Sequence, residues 1–460
     1  MPRFALPAAI AVLALIGAGQ AVAAPVTTAV DGEVRALSFS GDALNVARQP
    51  ARGLLVERIV PGSPSQVVLR TALRDDDDQV ALSSSEQAIA IALNASGDDS
   101  VAPGRVMIGP ALGPLREVGV CEAGLNAAPV AVAGARIAWR EGGCGVPASG
   151  PRGVSAAEVV IAGADPSAVV RRLSVGSAGL PVSLVLAPGD IGLLGLLQPS
   201  FFLIDTEVRA FSPAGLGPVV AAEQGAIVLP VGLLADGTRI LLAQTLEEEQ
   251  TTACGDAQVF ALAPGSSERR AIALGGCAVG ETTDGPLTGT GPLVSGDRIT
   301  ALVRDRSDSE QPVISVVSVR ADGGDRRVVA RGRLRAPQGI AADGQRVAWW
   351  QPRCRGGSEI VVQEGLEGPT TTAACRVTIL TRRARARNGR IAVRVRCPVG
   401  CKGAAFTGRR LLARARFAFG PGTHTLRVAA PLRGRRSARL RLELTVEHGP
   451  PRVANIRVRR

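Results

Sequence analysis

The chain has 460 residues, 46% of them apolar, and a formal net charge of +13. Such an apolar share excludes a disordered polyelectrolyte, and the length exceeds one average domain. Aromatic residues make up only 3%, tyrosine is absent, and 55 Gly and 31 Pro punctuate the chain, so the core must be built from Val, Ile, Leu and Ala in short strands joined by turns.

The first residues read as an export signal. Arg3 supplies a positive start, Ala8 to Ile16 an apolar stretch, and Ala21-Val22-Ala23 a small-residue cleavage site. Residues 1–23 are therefore expected to be a signal peptide, with an uncleaved anchor as the alternative. The apolar run is too short for a confident spanning helix, and the mature chain is expected to hold no transmembrane helix.

From there to residue 374 one pattern returns seven times. An apolar strand meets a tight turn and a second apolar strand leaves it. The turns are centred on Gly41-Asp42, Ser85-Glu86, Gly134-Ala135, Gly189-Asp190, Asp236-Gly237, Gly296-Asp297 and Asp343-Gly344. The interval averages about 50 residues, near the length of a four-stranded propeller blade. Two further apolar runs follow the pair, as in Glu158-Val159-Val160-Ile161 and Ala168 to Leu173 of the third unit. Helix-period segments of useful length are missing. The expectation is an all-β protein whose residues 24–374 form a seven-bladed β-propeller. The seventh unit shows a single outer run, Glu359 to Gln363, and a strand near Val26 to Val30 is expected to pair there and close the ring. Ile191 to Ile204 is read as buried strands.

Eight cysteines fit an exported chain. Cys121 and Cys144, Cys254 and Cys277, and Cys354 and Cys375 have nearly the same spacing, and Cys397 lies close to Cys401. That regularity favours disulfides in sequence order, the first three pairs on one rim of the ring. Metal binding is the weaker reading, because no Cys-x-x-Cys occurs and the two histidines are His424 and His448. No metal or cofactor is expected.

The composition changes at Cys375. Residues 376–460 hold 23 Lys plus Arg against two acids, Glu443 and Glu447, a net of +21; with +13 for the whole chain, residues 1–375 carry −8. Ile391 to Arg396 and Arg439 to Glu447 alternate apolar with charged residues, the period of a half-buried antiparallel sheet. Residues 375–460 are expected to form a small basic β-sandwich of six or seven strands, with Cys397 and Cys401 pinning a hairpin.

Ala341-Ala342-Asp343-Gly344-Gln345-Arg346-Val347-Ala348-Trp349 resembles the TolB-like, WD-type propeller repeat, loosely over residues 34 to 365. This chain lacks the Pro that precedes Asp in that repeat. The resemblance implies exported propellers that bind proteins or ligands, some fused to enzymes. Arg396-Cys397-Pro398-Val399-Gly400-Cys401-Lys402-Gly403 resembles the basic, Ig-like sandwich modules of secreted bacterial proteins. Neither likeness transfers a catalytic or binding residue.

No Gly-x-Ser-x-Gly elbow, phosphate loop or dinucleotide fingerprint is present. Histidine-based catalysis within the propeller is excluded, since both histidines lie in the tail. Asp75-Asp76-Asp77-Asp78 and Asp305 to Glu310 read as solvated acidic loops, with loose calcium sites as rivals. Trp139 and Trp349 read as core, with Trp350 facing the other side of its strand. No residue is named as catalytic, cofactor-binding or metal-binding. The expected function is a non-enzymatic binding or scaffolding protein of the cell envelope, taking a protein or glycan on the propeller rim. Its basic tail would contact an anionic cell-wall polymer or dock on the propeller, and nucleic acid is a poor partner for an exported chain. The alternative is a carbohydrate-active hydrolase or lyase using carboxylates in the propeller channel.

Overall fold

The computed structural model describes residues 24–460 apart from 51–52, 74–76, 96–103, 122–128, 142–156, 166–169, 177–178, 200–203, 225, 246–256, 279–290, 306–312, 334, 372–373, 399, 408–409, 421, 433–435 and 447–448. Residues 1–23, the expected signal, lie outside the described residues.

The described residues contain strands and turns and no helix. Blade one is Glu33–Ser40, Ala43–Gln49, Leu54–Ile59 and Gln66–Thr71, and blades two and three begin at Asp77–Ser84 and Val130–Ala133. Blades four and five, starting at Leu180–Ala187 and Ala226–Leu233, join into an eight-stranded sheet through one parallel bridge between Asp205 and Ala226. Blade six has its inner strand in two pieces, Cys277–Ala278 and Leu293–Ser295, both paired with Arg298–Arg304. Blade seven comprises Gly339–Asp343, Arg346–Pro352 and Ser358–Glu364. Its fourth strand is Val26–Val30, paired antiparallel with Ser358–Glu364 from Val26 opposite Val362 to Val30 opposite Ser358. Each inner strand touches the next, and that of blade seven returns to Glu33–Ser40 of blade one, so the described residues form a closed ring.

Burial follows from this arrangement. A blade is covered on both faces, so alternate residues of one strand enter different cores. Along Ala88–Ala95, Ala88, Ala90 and Ala92 face the cluster shared with blade three, while Ile89, Ile91 and Leu93 face the cluster shared with blade one. All six are fully buried. Trp349 packs toward blade six and Trp350 toward blade one. Trp350 lies flat over Gly339, where an added Cβ would stand 1.7 Å from its Cη2.

The turns of the repeat are fastened to one another. The Ser40 hydroxyl donates to the Ser85 carbonyl, and the Ser85 hydroxyl to the Gly134 carbonyl at 2.6 Å. Arg136 grips Asp190 with two nitrogens at 2.7 and 2.8 Å. The amide of Gly344 donates to Ser295 Oγ at 2.5 Å, and Arg346 donates to the Gly41 carbonyl at 2.5 Å across the closure. Gly41, Gly134, Gly189, Gly237, Gly296 and Gly344 all have positive φ, which explains glycine at these corners.

The tail forms two sheets around one core. Thr378–Ile379, Arg390–Cys397 and Gly422–Ala429 make the smaller. Arg383–Arg385, Gly449–Arg459, Ser437–Val446, Cys401–Thr407 and Arg410–Phe419 make the larger, in that spatial order. Val393 and Val395 of the first pack with Leu440, Leu442 and Leu444 of the second. Cys397 and Cys401 are bonded, with Cα atoms 5.7 Å apart. The expected hairpin is corrected here: the strands on either side of this bond belong to different sheets, so the bridge ties the sandwich layers together.

Cys354 is bonded to Cys375, with Cα atoms 5.3 Å apart. The fourth-strand place in blade seven is taken by the N-terminal strand, so Cys375 does not end that blade. Cys375 instead follows Thr370–Thr371, which adds in parallel to the edge of blade six. Cys277 is in a disulfide; Cys144, Cys254 and the side chain of Cys121 lie outside the described residues. Disulfides of this kind belong to an oxidising, extracytoplasmic environment. Among the described residues no helix is long and apolar enough to cross a membrane.

Removing residues 24–30 should lower the melting temperature by about 2 °C or more, as expected for a loss of about 2 kcal/mol in a chain of this size; unchanged melting would contradict the closure. Gly339→Ala should cost about 2 kcal/mol through overpacking against Trp350, read as a shift in the denaturation midpoint.

Candidate functional site

Inner strands set the wall of the channel, and their sequences place no acid between their ends. Glu33 and Asp343 stand at strand ends, as do Asp77 and Asp78, and the intervening residues are apolar, small or hydroxyl-bearing apart from Arg35 and Gln79. The expected channel carboxylates are therefore not brought together along these strands. Asp42, Asp190, Asp236, Asp297 and Asp343 stand instead at the turns of the repeat.

A cleft of about 1000 Å³ opens there between blades six and seven. Four chain segments build it. The inner turn of blade six gives Ser295, Gly296, Asp297 and Arg298, and its outer turn gives Arg320, Asp325 and Arg327. Blade seven gives Gly344 and Gln345 from its inner turn, and Glu364, Gly365, Leu366 and Glu367 where the chain leaves its third strand.

Two acids of the cleft are engaged by arginine. Asp325, held at a φ of 43°, receives Arg298 Nη1 on one carboxylate oxygen at 2.9 Å and Arg327 Nε on the other at 2.5 Å. Arg298 is itself fixed, its Nε on Ser318 Oγ at 3.0 Å and its Nη2 on the Asp325 carbonyl at 2.7 Å. Asp297 lies 3.2 Å from Arg320 and is well exposed. Glu364 and Glu367 are exposed and have no side-chain partner among the described residues. The cleft thus presents anchored guanidinium groups and two exposed carboxylates.

The hydrogen bonds from Arg327 and then Arg298 hold the Asp325 carboxyl below its ordinary value. Asp236 is lowered likewise, chiefly by the amide and hydroxyl of Thr238, with the amide at 2.8 Å. Arg140, nine-tenths buried in blade three, is lowered by desolvation to about 10 and still donates to the Pro181 carbonyl at 3.0 Å.

Sequence reasoning named Asp297 as a turn residue and missed the other charged members of the cleft. The mixed-charge run Asp325-Arg326-Arg327 and the spaced pair Glu364 and Glu367 were the signals available. The remaining candidates lie elsewhere. Trp139, Trp349 and Trp350 are buried in blade cores. His424 stacks on Phe419, with centroids 4.7 Å apart, and its Nε2 lies 2.8 Å from the Gly420 carbonyl; His448 lies outside the described residues. Asp305 pairs with Arg331 at 3.3 Å, while 306–310 lie outside the described residues. So do Asp75, Asp76 and the side chains of Asp77 and Asp78. Among the described residues no group of three or more His, Cys, Asp or Glu is placed to hold a metal ion.

The chain is a β-propeller protein. No protein-family model matches its sequence, and none of the curated proteins is similar to it. Among solved structures it is similar to the β-propeller domain of the Trilobed protease from Pyrococcus furiosus, with 9% identity and a TM-score of 0.46 over 74% of this chain and 97% of that one. It is also similar to a puromycin hydrolase, with 13% identity and a TM-score of 0.49 over 80% of this chain but 58% of that one. The polysaccharide lyase Uly1 gives 10% identity and a TM-score of 0.42 over 73% of this chain and 90% of that one. At these identities the likeness is one of fold. These comparisons correct the expectation of a non-enzymatic scaffold: propellers of this kind occur in peptidases and in a polysaccharide lyase, so the ring is no mark of a protein without catalysis.

Because the folded Asp325 carboxyl binds its proton less readily than the unfolded one, its contribution to stability is present above the unfolded pKa of about 4. It is lost as the pH falls through the lower folded value. Asp325→Asn should flatten the acid side of the stability–pH curve, followed by thermal melting; a curve as steep as the parent's would contradict the ion pairs.

Proposed function

We propose that the chain is a carbohydrate-active enzyme, a hydrolase working in the cleft between blades six and seven. The observation that supports this reading is the pairing of two partner-free carboxylates, Glu364 and Glu367, with the anchored arginines Arg298 and Arg327 in one cleft of about 1000 Å³. Glycoside hydrolysis needs one carboxyl to protonate the leaving oxygen and a second to activate water or attack the sugar. Glu364 and Glu367 take these roles. Asp325 positions Arg298 and Arg327, whose remaining N–H groups face the hydroxyl and acidic groups of a sugar. A peptidase-like reaction would need a nucleophile activated by a base, and the propeller contains no histidine. An eliminating lyase is the second reading, but tyrosine, lysine and histidine are all missing from residues 1–375, which leaves few bases for that proton abstraction.

The turn-centred repeat supports reading the propeller as TolB-like, and the two-sheet tail supports reading residues 375–460 as an Ig-like module following a propeller of residues 24–374. The disulfides and the signal-like start support an enzyme secreted or held in the cell envelope.

The test is release of new reducing ends from a panel of neutral and acidic polysaccharides. Glu364→Gln and Glu367→Gln should each lower kcat by about a hundredfold or more, with melting unchanged. Asp325→Asn should chiefly raise KM. Full activity in both glutamine variants would sink the assignment, and products bearing a new double bond would turn it toward the lyase.

A further inference from the structure

The larger sheet of the tail carries a feature that the cleft does not explain. On its solvent side, arginines stand directly opposite one another across neighbouring strands. Arg383 is opposite Arg457, which is opposite Arg439. One step along, Arg385 is opposite Arg459. All five side chains are exposed, alternating with the buried Leu440, Ile456 and Val458. None of the five has an acidic partner among the described residues. Among the described residues, Arg441 on this face is neutralised, by Glu443.

Like charges directly opposite each other weaken a sheet. An unfilled row of this kind is costly unless an anion lies along it. The propeller does not supply that anion, although residues 1–375 carry −8. Among the described residues no ion pair joins tail and propeller: every pair within the tail or the ring stays there. The smaller sheet is also basic but differs in pattern. There Arg394 is opposite Thr425 and Arg427 is opposite Ala392; Arg390 faces Arg387 across its own turn, and no row of arginines runs over neighbouring strands.

We propose that the arginine rows of the larger sheet bind a linear acidic polysaccharide with one carboxylate on each sugar, running across the strands. Neighbouring strands are about 4.8 Å apart, close to the advance of a chain by one pyranose ring. Successive carboxylates of such a polymer therefore meet successive guanidinium forks, the geometry arginine holds best. This deepens the carbohydrate reading by giving the substrate its charge. Binding and turnover are measured separately, so failure of one leaves the other standing.

The experiment is titration of the full chain with polygalacturonate, with its methyl ester and with a DNA duplex, over a range of salt. The acid form should bind and the ester should not. Arg439→Gln with Arg457→Gln should weaken binding by about tenfold or more and reduce the salt slope by roughly one unit per arginine removed. Arg394→Gln with Arg427→Gln on the other sheet should change affinity by less than about threefold. Equal losses in the two double variants would overturn the proposal by making net charge the cause. So would equal affinity for acid and ester, or tighter binding of the duplex. Should the first double variant fail to fold, the acid-against-ester comparison on the parent chain decides.

Discussion

Every blade of the ring is covered on both of its faces, and most of the rest follows from that constraint. A strand with two buried faces must be apolar at nearly every position. Alternation is then free to sort residues by size instead of polarity. Ala88–Ala95 shows the result, alanine toward one neighbour and Ile or Leu toward the other. A ring built this way cannot be left open, because an unclosed blade would expose a whole apolar face and an unpaired strand edge. The N-terminal strand Val26–Val30 removes that edge. Arg346 fastens the same junction, reaching the Gly41 carbonyl at 2.5 Å with its guanidinium 4.8 Å over the Phe39 ring.

The turns use their polar groups to hold neighbouring blades in register. The partners are one repeat apart: Ser85 and Gly134 are separated by 49 residues, Arg136 and Asp190 by 54, and Ser295 and Gly344 by 49. The period seen in the sequence is thus the spacing of physical contacts. The same turn chemistry gathers charge on one face. Between blades six and seven the outer turn of one and the departing strand of the other leave room for a cleft, and its walls inherit the acids and arginines of both.

The tail solves a different problem with the same alternation. Its sheets bury one face only, so arginine can occupy every second position without entering the core. The Cys397–Cys401 bond joins the two layers, while Cys354–Cys375 ties the departing chain back to blade seven. The propeller thus offers a compact site of mixed charge and the tail a broad face of one sign.

By itself the sequence determined the local terms. Period-two alternation, glycine at corners that need positive φ and the recurring turn fixed strands, blade order and the two kinds of sheet. The outer run near Glu359 was enough to call for Val26 to Val30 as its partner. These features act over a few residues or repeat at constant spacing, so a linear reading captures them. The cleft was not legible, because Arg298, Asp325, Gln345 and Glu367 come from four turns with no common spacing. Nor was the crossing of Cys397 to Cys401 between sheets, since a hairpin and a layer-to-layer link have the same short spacing. Which turns converge, and which arginines stand opposite one another, depends on ring closure and strand register. Those are set by the packing of whole faces, and only the tertiary structure decides them.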